Sequence, residues 1–153
     1  MEVVVFVGLQ GAGKSTFYRT HFATSHVLVS KDGFRNNPRP QRRQMFLIEE
    51  ALREGRSVVV DNTNPTVEDR AAILELARSF GARVSAFYFD SPLEDCLERN
   101  RRRTGKARVP DVALHVTAKR LRPPTIDEGF DGLYRVRIAS DGGFSVSDEV
   151  VVS

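Results

Sequence analysis

The sequence predicts an α/β fold built on a central, mainly parallel sheet of five strands with helices on both faces. Short β-branched runs alternate along the chain with segments of helical periodicity, an order typical of parallel strands joined by right-handed crossovers. The first run, at 2–7, is almost entirely apolar, as expected of a strand covered on both faces. The 153 residues contain no internal repeat or linker, so we expect a single domain over residues 1–153.

The individual elements are predicted from their apolar spacing and from their start and stop signals. The strands are predicted at 2–7, 27–30, 57–61, 83–89 and 132–138, with room for a further short strand after Asp141. The helices are predicted to begin at Lys14, at Gln41, after a capping box at Thr66–Asp69, after Ser91 and at Pro110. Ser91 is the expected N-cap of the fourth helix, because Pro92 suits a first helical position and Glu94 follows the cap by three residues.

Composition narrows the class of protein. With 41% hydrophobic and 28% charged residues, the chain is typical of a globular protein rather than a disordered or fibrous one. No apolar run approaches the roughly 20 residues that span a bilayer, and the N-terminus lacks the basic region of a signal peptide. We therefore expect a cytoplasmic protein without a membrane partner. Cys96 is the single cysteine and has the spacing of a buried helix residue, so no disulfide is expected within the chain.

Positive charge is concentrated in one segment, although the formal net charge is only +3. Nine Lys or Arg residues lie from Arg99 to Arg122, against one acid, Asp111. This concentration of positive charge favours contact between the segment and phosphate groups.

A phosphate-binding loop follows the first predicted strand. Residues Gly8–Ser15 read GLQGAGKS and match G-x-x-x-x-G-K-[ST] between a strand and a helix, the context that this motif requires. The glycines let backbone N–H groups surround a phosphate, Lys14 neutralises the β and γ oxygens, and Ser15 is placed for Mg²⁺, with Mn²⁺ as the alternative ion. A glycine-rich turn without a ligand is the competing interpretation. The predicted ATP-binding residues of the loop are Gly11, Ala12, Gly13, Lys14, Ser15 and Thr16.

Two acidic residues follow other strands at the same expected edge of the sheet. Asp61 ends the third strand and resembles a Walker B aspartate that serves the metal, but no adjacent glutamate can activate water, which disfavours a motor ATPase. Asp32 follows the second strand, and ligands of open α/β sheets lie beyond such strand ends. Its carboxylate can accept the proton of an attacking hydroxyl, while Arg35 can steer an acceptor phosphate. The same positions also fit an Asp-Gly turn with a solvated arginine and a strand-end turn closed by Asn64-Pro65.

These residues resemble the kinase domain of polynucleotide 5′-kinases, the enzymes that phosphorylate 5′-OH ends of DNA and RNA. The resemblance covers nearly the whole chain. Many kinases share the loop GLQGAGKST, whereas the later segments are more particular. The resemblance is carried by that loop, the Asp32-x-x-Arg35 pair, VVDNTNPTVEDR at 59–70, RNRRRTGKARVP at 99–110 and PTIDEGFDGLYRV at 124–136.

The resemblance implies roles for the matching residues. Asp32 is implied as the general base on the 5′-OH, and Arg35 as the residue that binds the neighbouring phosphate. Arg99 and Arg103 correspond to arginines of a lid over about 99–110 that engage the nucleotide, and Arg103 is the stronger candidate to stabilise charge during transfer. Because they are one helical turn apart, the two arginines are expected on one helix face. The implied catalytic residues are Lys14, Asp32, Arg35 and Arg103.

Three functions stay open on the sequence. The preferred hypothesis is ATP-dependent transfer of phosphate to the 5′-OH end of DNA or RNA, in nucleic-acid end repair. A kinase of a small metabolite, nucleoside or antibiotic hydroxyl fits the same base, and a nucleotide-gated binding module fits the loop alone. Phe34 or Phe46 could stack a terminal base, although core packing is the commoner role of such residues. An end-healing phosphatase or ligase is expected to act in trans, and the sequence indicates no oligomeric state.

Overall fold

The elements of the fold follow the predicted order. A computed structural model describes residues 1–151. Its strands β1 to β6 span Glu2–Val7, Val27–Val29, Val58–Val60, Arg83–Phe89, Gly132–Ile138 and Phe144–Val151. Its helices α1 to α5 span Lys14–His21, Pro40–Arg53, Val67–Ser79, Leu93–Arg101 and Asp111–Arg120. Short 3₁₀ turns occupy Lys31–Phe34, Gly105–Ala107 and Ile126–Glu128. None of the helices within residues 1–151 combines the length and the apolar character needed to cross a membrane.

The sheet has the order β2-β3-β1-β4-β5-β6. The first five strands pair in parallel, and β6 joins β5 antiparallel. The prediction of a mainly parallel sheet is therefore confirmed, but within residues 1–151 the sheet has six strands rather than five. The expected short addition after Asp141 is an eight-residue strand, because a tight turn returns the chain alongside β5.

Two hydrophobic cores lie on opposite faces of the sheet. Alternate residues of β1 serve the two faces: Val3 and Val5 pack with α2 and α3, while Val4 and Phe6 pack with α1, α4 and α5. Both sets are almost completely buried, which explains why β1 reads as one apolar run. Cys96 lies in the second core, as its helical spacing predicts.

The two predicted helix caps had different outcomes, and the helices expected from Gln41 and Pro110 begin at Pro40 and Asp111. Thr66 caps α3 as expected, since its hydroxyl accepts from the backbone N–H of Asp69 at 3.1 Å and the Asp69 carboxylate accepts from the N–H of Thr66. The prediction of Ser91 as the N-cap of α4 is wrong. Pro92 is the cap residue, with an extended ψ of 144°, so the helix begins one residue later at Leu93.

Candidate active site

The loops that follow β1, β2 and β3 line one cavity of about 350 Å³ at the carboxyl edge of the sheet. The strand order places β1 between β3 and β4, which is the point where connections leave to opposite sides and where such sheets bind ligands. Seven of the site residues predicted from the sequence line this cavity: Gly11, Lys14, Ser15, Asp32, Arg35, Asp61 and Arg103.

The phosphate-binding loop is held close to the neighbouring helix α4. Gly11 has φ +82°, and a Cβ at this position would lie 2.7 Å from the carbonyl oxygen of Cys96, so only glycine fits. Gly13 also has a positive φ and precedes α1 without a side-chain cap. The first N–H groups of α1 therefore have no acceptor within the helix, and they form the anion-binding end that the motif predicts. Ala12 is buried in the core below the loop.

Lys14 is buried beneath this loop. Its Nζ donates to the carbonyl oxygens of Gly8 at 2.8 Å and Leu9 at 2.7 Å. Burial lowers the pKa of Lys14 to about 8, and the negative charge of Asp61 partly opposes that shift. The ammonium group is therefore positioned by the loop itself and lies close to its own titration range at neutral to mildly alkaline pH.

Ser15 and Asp61 place two possible metal-ligand oxygens side by side on the cavity wall. The Ser15 hydroxyl donates to Oδ2 of Asp61 at 3.0 Å. Asp61 is buried, and desolvation raises its pKa, while the charge of Lys14 and the hydrogen bond from Ser15 act in the opposite direction. Mg²⁺ prefers hard oxygen ligands and is usually bound by one or two protein groups together with substrate phosphates. The hydroxyl–carboxylate pair fits that ion.

Asp32 and Arg35 lie on the 3₁₀ turn Lys31–Phe34 and the residue after it. The turn is anchored at its start, since the Lys31 N–H donates to Oδ1 of Asn62 at 2.8 Å. The Asp32 side chain is exposed, and its Oδ1 accepts from Nη2 of Arg35 at 3.2 Å. Arg35 also donates through Nη1 to the carbonyl of Lys106. The last contact joins the segment after β2 to the Gly105–Ala107 turn, and residues of both line the same cavity.

The segment 99–110 places its two predicted lid arginines differently. Arg99 donates to the carbonyl oxygen of Gly11 at 2.9 Å, so it braces the phosphate loop, whereas Arg103 lines the cavity. The expectation that both lie on one helix face is wrong, because α4 ends at Arg101. Buried Asn100 fixes the segment instead: its side chain donates to the carbonyl of Val109 at 2.7 Å and accepts from the Val109 N–H at 3.1 Å.

Two other arginines of the basic segment, and Thr16 of the predicted ATP site, do not line this cavity. Arg101 pairs with Asp111 at 3.2 Å, and Arg102 pairs with Glu98 at 3.0 Å, both at the surface. Thr16 is exposed on α1, where its hydroxyl accepts from Arg19. Charge spacing along the chain cannot distinguish an arginine that faces a ligand from one that faces a neighbouring acid.

One buried ion pair, between Arg70 and Glu128, was not singled out from the sequence. Arg70 is completely buried and forms a bidentate pair with Glu128, at 2.8 Å from Nε and 3.0 Å from Nη2. Its Nη1 donates to the carbonyl of Asn64 at 2.8 Å, and the Asn64 side chain donates to the carbonyl of Phe6. The pair thus joins the loop after Asp61 to β1 and to the Ile126–Glu128 turn. Arg70 and Glu128 fall in the segments 59–70 and 124–136 that carry the family resemblance, and this was the available sequence signal for the pair.

Comparison with known proteins supports the fold and the resemblance. The family model described as "AAA domain" matches residues 3–124. The chain is 30% identical over 139 residues to a "Bifunctional polynucleotide phosphatase/kinase" of Schizosaccharomyces pombe, covering 88% of this chain and 33% of that protein. It is 29% identical over 147 residues to a protein of Acanthamoeba polyphaga mimivirus that is named as a candidate for the same pair of activities, covering 92% and 34%. The chain thus spans about a third of the length of these relatives.

A solved structure confirms the α/β architecture. Kti12 of Chaetomium thermophilum, crystallised in complex with ADP-AlF3, superposes with a TM-score of 0.72 at 14% identity and covers 92% of both chains. At this identity the likeness concerns the fold alone. The predicted fold class and the family resemblance are confirmed, and the relatives support a P-loop kinase.

Proposed function

The chain belongs to the family described as AAA domain, and from that premise we propose that it transfers the γ-phosphate of ATP to the 5′-hydroxyl end of DNA or RNA. One observation carries the proposal: Lys14 and Ser15 of the phosphate loop and Asp32 and Arg35 of the β2–α2 segment line the same cavity. A donor phosphate and an acceptor hydroxyl can therefore meet there. The names of the curated relatives support a polynucleotide as the acceptor.

On the donor side, the loop binds the ATP phosphates. Backbone N–H groups at the start of α1 and the Lys14 ammonium group contact the β and γ oxygens. Mg²⁺ held by Ser15 and Asp61 would neutralise charge on the same phosphate oxygens. Two of the three ammonium donors of Lys14 are bonded to the carbonyls of Gly8 and Leu9, which leaves the third for a phosphate oxygen.

On the acceptor side, Asp32 accepts the proton of the attacking hydroxyl. The new bond forms between the 5′ oxygen and the γ-phosphorus, the bond from that phosphorus to the bridging oxygen breaks, and ADP leaves. Arg35 holds Asp32 at 3.2 Å and presents its guanidinium group to the phosphate that follows the terminal nucleoside. Arg103 adds positive charge where the transferred group carries its negative charge.

The direct test is transfer of labelled γ-phosphate from ATP to an oligonucleotide with a 5′-OH end. The matched control is the same oligonucleotide with a 5′-phosphate, which offers no terminal hydroxyl. We expect label on the 5′-OH strand in the presence of Mg²⁺ or Mn²⁺, no label on the control, and no transfer by the Lys14→Met variant.

A panel of other acceptors distinguishes the competing activity. Nucleosides, sugars and aminoglycosides are supplied without nucleic acid under the same conditions. Efficient transfer to one of them, with none to DNA or RNA ends, would replace the proposal by a small-molecule kinase. ATP binding without transfer to any acceptor would leave a nucleotide-binding module.

A further inference from the structure

Two further cavities lie beyond Asp32, towards and along the start of helix α2. The first, of about 870 Å³, lies beside the cavity described above and shares Asp32 and Arg35 with it. A second, of about 270 Å³, shares Asn37 with the first and continues over the start of α2 to Phe46. Because neighbouring cavities share lining residues, they adjoin one another from Asp32 to Phe46, and we refer to this surface as the groove.

This groove is lined by positive charge. Arg39, Arg42 and Arg43 are exposed along it, and none of them forms an ion pair with a carboxylate within residues 1–151. Arg53, at the end of α2, differs from these three arginines because it pairs with Glu49 at 2.6 Å. Unpaired arginines in a groove favour a polyanionic occupant.

An exposed aromatic ring lies at the far end of the groove. Phe46 is 52% exposed, and the guanidinium carbon of Arg43 lies 5.4 Å from the centre of its ring. An exposed aromatic ring beside arginines is the combination with which proteins stack single-stranded bases while holding the strand's phosphates. An acidic peptide would satisfy the arginines but has no use for the exposed ring.

We propose that this groove, from Asp32 to Phe46, binds the single strand behind the 5′-OH nucleotide, with the three arginines on its phosphates and Phe46 against a base. The inference rests on the proposed function, because that function places the 5′ end of the strand at Asp32. Arg39 to Phe46 spans about 10 Å of helix, which matches about three phosphates of a stacked strand. The substrate class is thus a single-stranded end of several nucleotides, rather than a mononucleotide or a flush duplex end.

The test compares a long with a minimal acceptor. Transfer is measured to a 5′-OH strand of about 12 nucleotides, a length within the range of single-strand binding sites, and to a nucleoside 3′-monophosphate. The Arg39→Ala/Arg42→Ala/Arg43→Ala variant should raise the KM for the long strand by 10-fold or more, and Phe46→Ala by about 5- to 10-fold. Both should leave kcat/KM for the minimal acceptor unchanged. The Arg53→Ala/Arg56→Ala/Arg83→Ala variant, which removes the same charge elsewhere, should change neither.

Direct binding separates this inference from the proposed function. Fluorescence anisotropy with a strand whose 5′ end lacks the hydroxyl needs no transfer. The salt dependence of its affinity should become shallower by about 2 in the triple variant, or about 0.7 for each phosphate that is no longer neutralised. If no acceptor is phosphorylated but the groove variants alone lose binding, the function fails and the groove stands. Unchanged binding, equal loss on both acceptors, or equally tight binding of polyglutamate would overturn the groove.

Discussion

The two sides of the cavity differ in how firmly the fold holds them. On the phosphate-loop end, formed by Gly8–Ser15 with Asp61, the charged side chains are buried and bonded to loop carbonyls or to Ser15. On the acceptor rim, formed by Lys31–Arg35, Asp32 is exposed and is held through one hydrogen bond from Arg35. The donor side is thus organised by the core, whereas the acceptor side is organised by a few surface contacts.

This difference predicts two kinds of sensitivity. Changes at the acceptor rim should alter transfer without altering stability, because little is buried there. Changes to the supports of the phosphate-loop end should lower stability, because they leave polar groups buried without partners. The following variants test that separation.

The largest effect is expected for Asp32→Asn. Loss of the general base should lower kcat by up to about 10⁴-fold, with the affinity for ATP and the thermal midpoint unchanged because the side chain is exposed. Single-turnover transfer, ATP binding and thermal unfolding measure the three quantities. Asp127→Asn, an exposed substitution on the Ile126–Glu128 turn, is the matched control. A variant that keeps more than about a tenth of the wild-type rate would place the base elsewhere.

Arg70→Ala should have the largest effect on stability. It leaves the Glu128 carboxylate and the Asn64 carbonyl without their buried donor, and removing one partner of a buried ion pair destabilises by about 3–4 kcal/mol. The expected fall in the thermal midpoint is about 10 °C for a chain of this size. Arg78→Ala, exposed on the same helix, should shift it little. A midpoint within about 2 °C of the wild type would show that the pair does not brace the loop after Asp61.

Arg35→Ala should affect acceptor binding to an intermediate degree. Loss of charge-assisted hydrogen bonds to a phosphate corresponds to a rise in acceptor KM of about 10- to 100-fold. The effect should appear with a nucleoside 3′-monophosphate and vanish with the unphosphorylated nucleoside, because only the former offers that phosphate. Steady-state kinetics with the two acceptors measure it. An equal loss on both would mean that Arg35 acts by positioning Asp32 alone.

The smallest effect concerns the proton on Lys14. With a pKa of about 8, lowered from 10.5 by burial, about half of these side chains are neutral at pH 8 and nearly all are charged at pH 7. The ATP phosphates favour the charged form, so binding at pH 8 should take up about half a proton, and affinity should fall as the pH rises further. Calorimetry of MgATP binding in buffers of different ionisation enthalpy measures the uptake. Lys14→Arg, which keeps its charge, should abolish it, and a wild-type uptake of zero would contradict the shift.

Local signals in the sequence predicted most of the fold. The phosphate loop lies between β1 and α1 as its motif requires, and Thr66 caps α3 as its capping box indicates. Each of these depends on residues within about four positions of one another, where helix geometry and turn chemistry act directly. The prediction at Ser91 failed by one residue because serine followed by proline fits either of two helix starts.

Contacts between distant residues were decided by the tertiary structure. Arg70 meets Glu128 across 58 positions, and Arg35 meets the Lys106 carbonyl across 71. Whether an arginine in the 99–110 segment faces the cavity, the phosphate loop or a surface acid depends on where α4 ends and how Asn100 folds the following turn.

Patterns in the amino-acid sequence were enough to predict the α/β order, the phosphate loop and the candidate residues Lys14, Asp32 and Asp61. Tertiary contacts brought these residues into one cavity with Arg103, set Arg99 against the loop, and placed exposed arginines and Phe46 along a further cavity. The physical reason is that propensity and spacing act over a few residues, whereas a site is built from strand ends and loops that meet only when the whole sheet has formed.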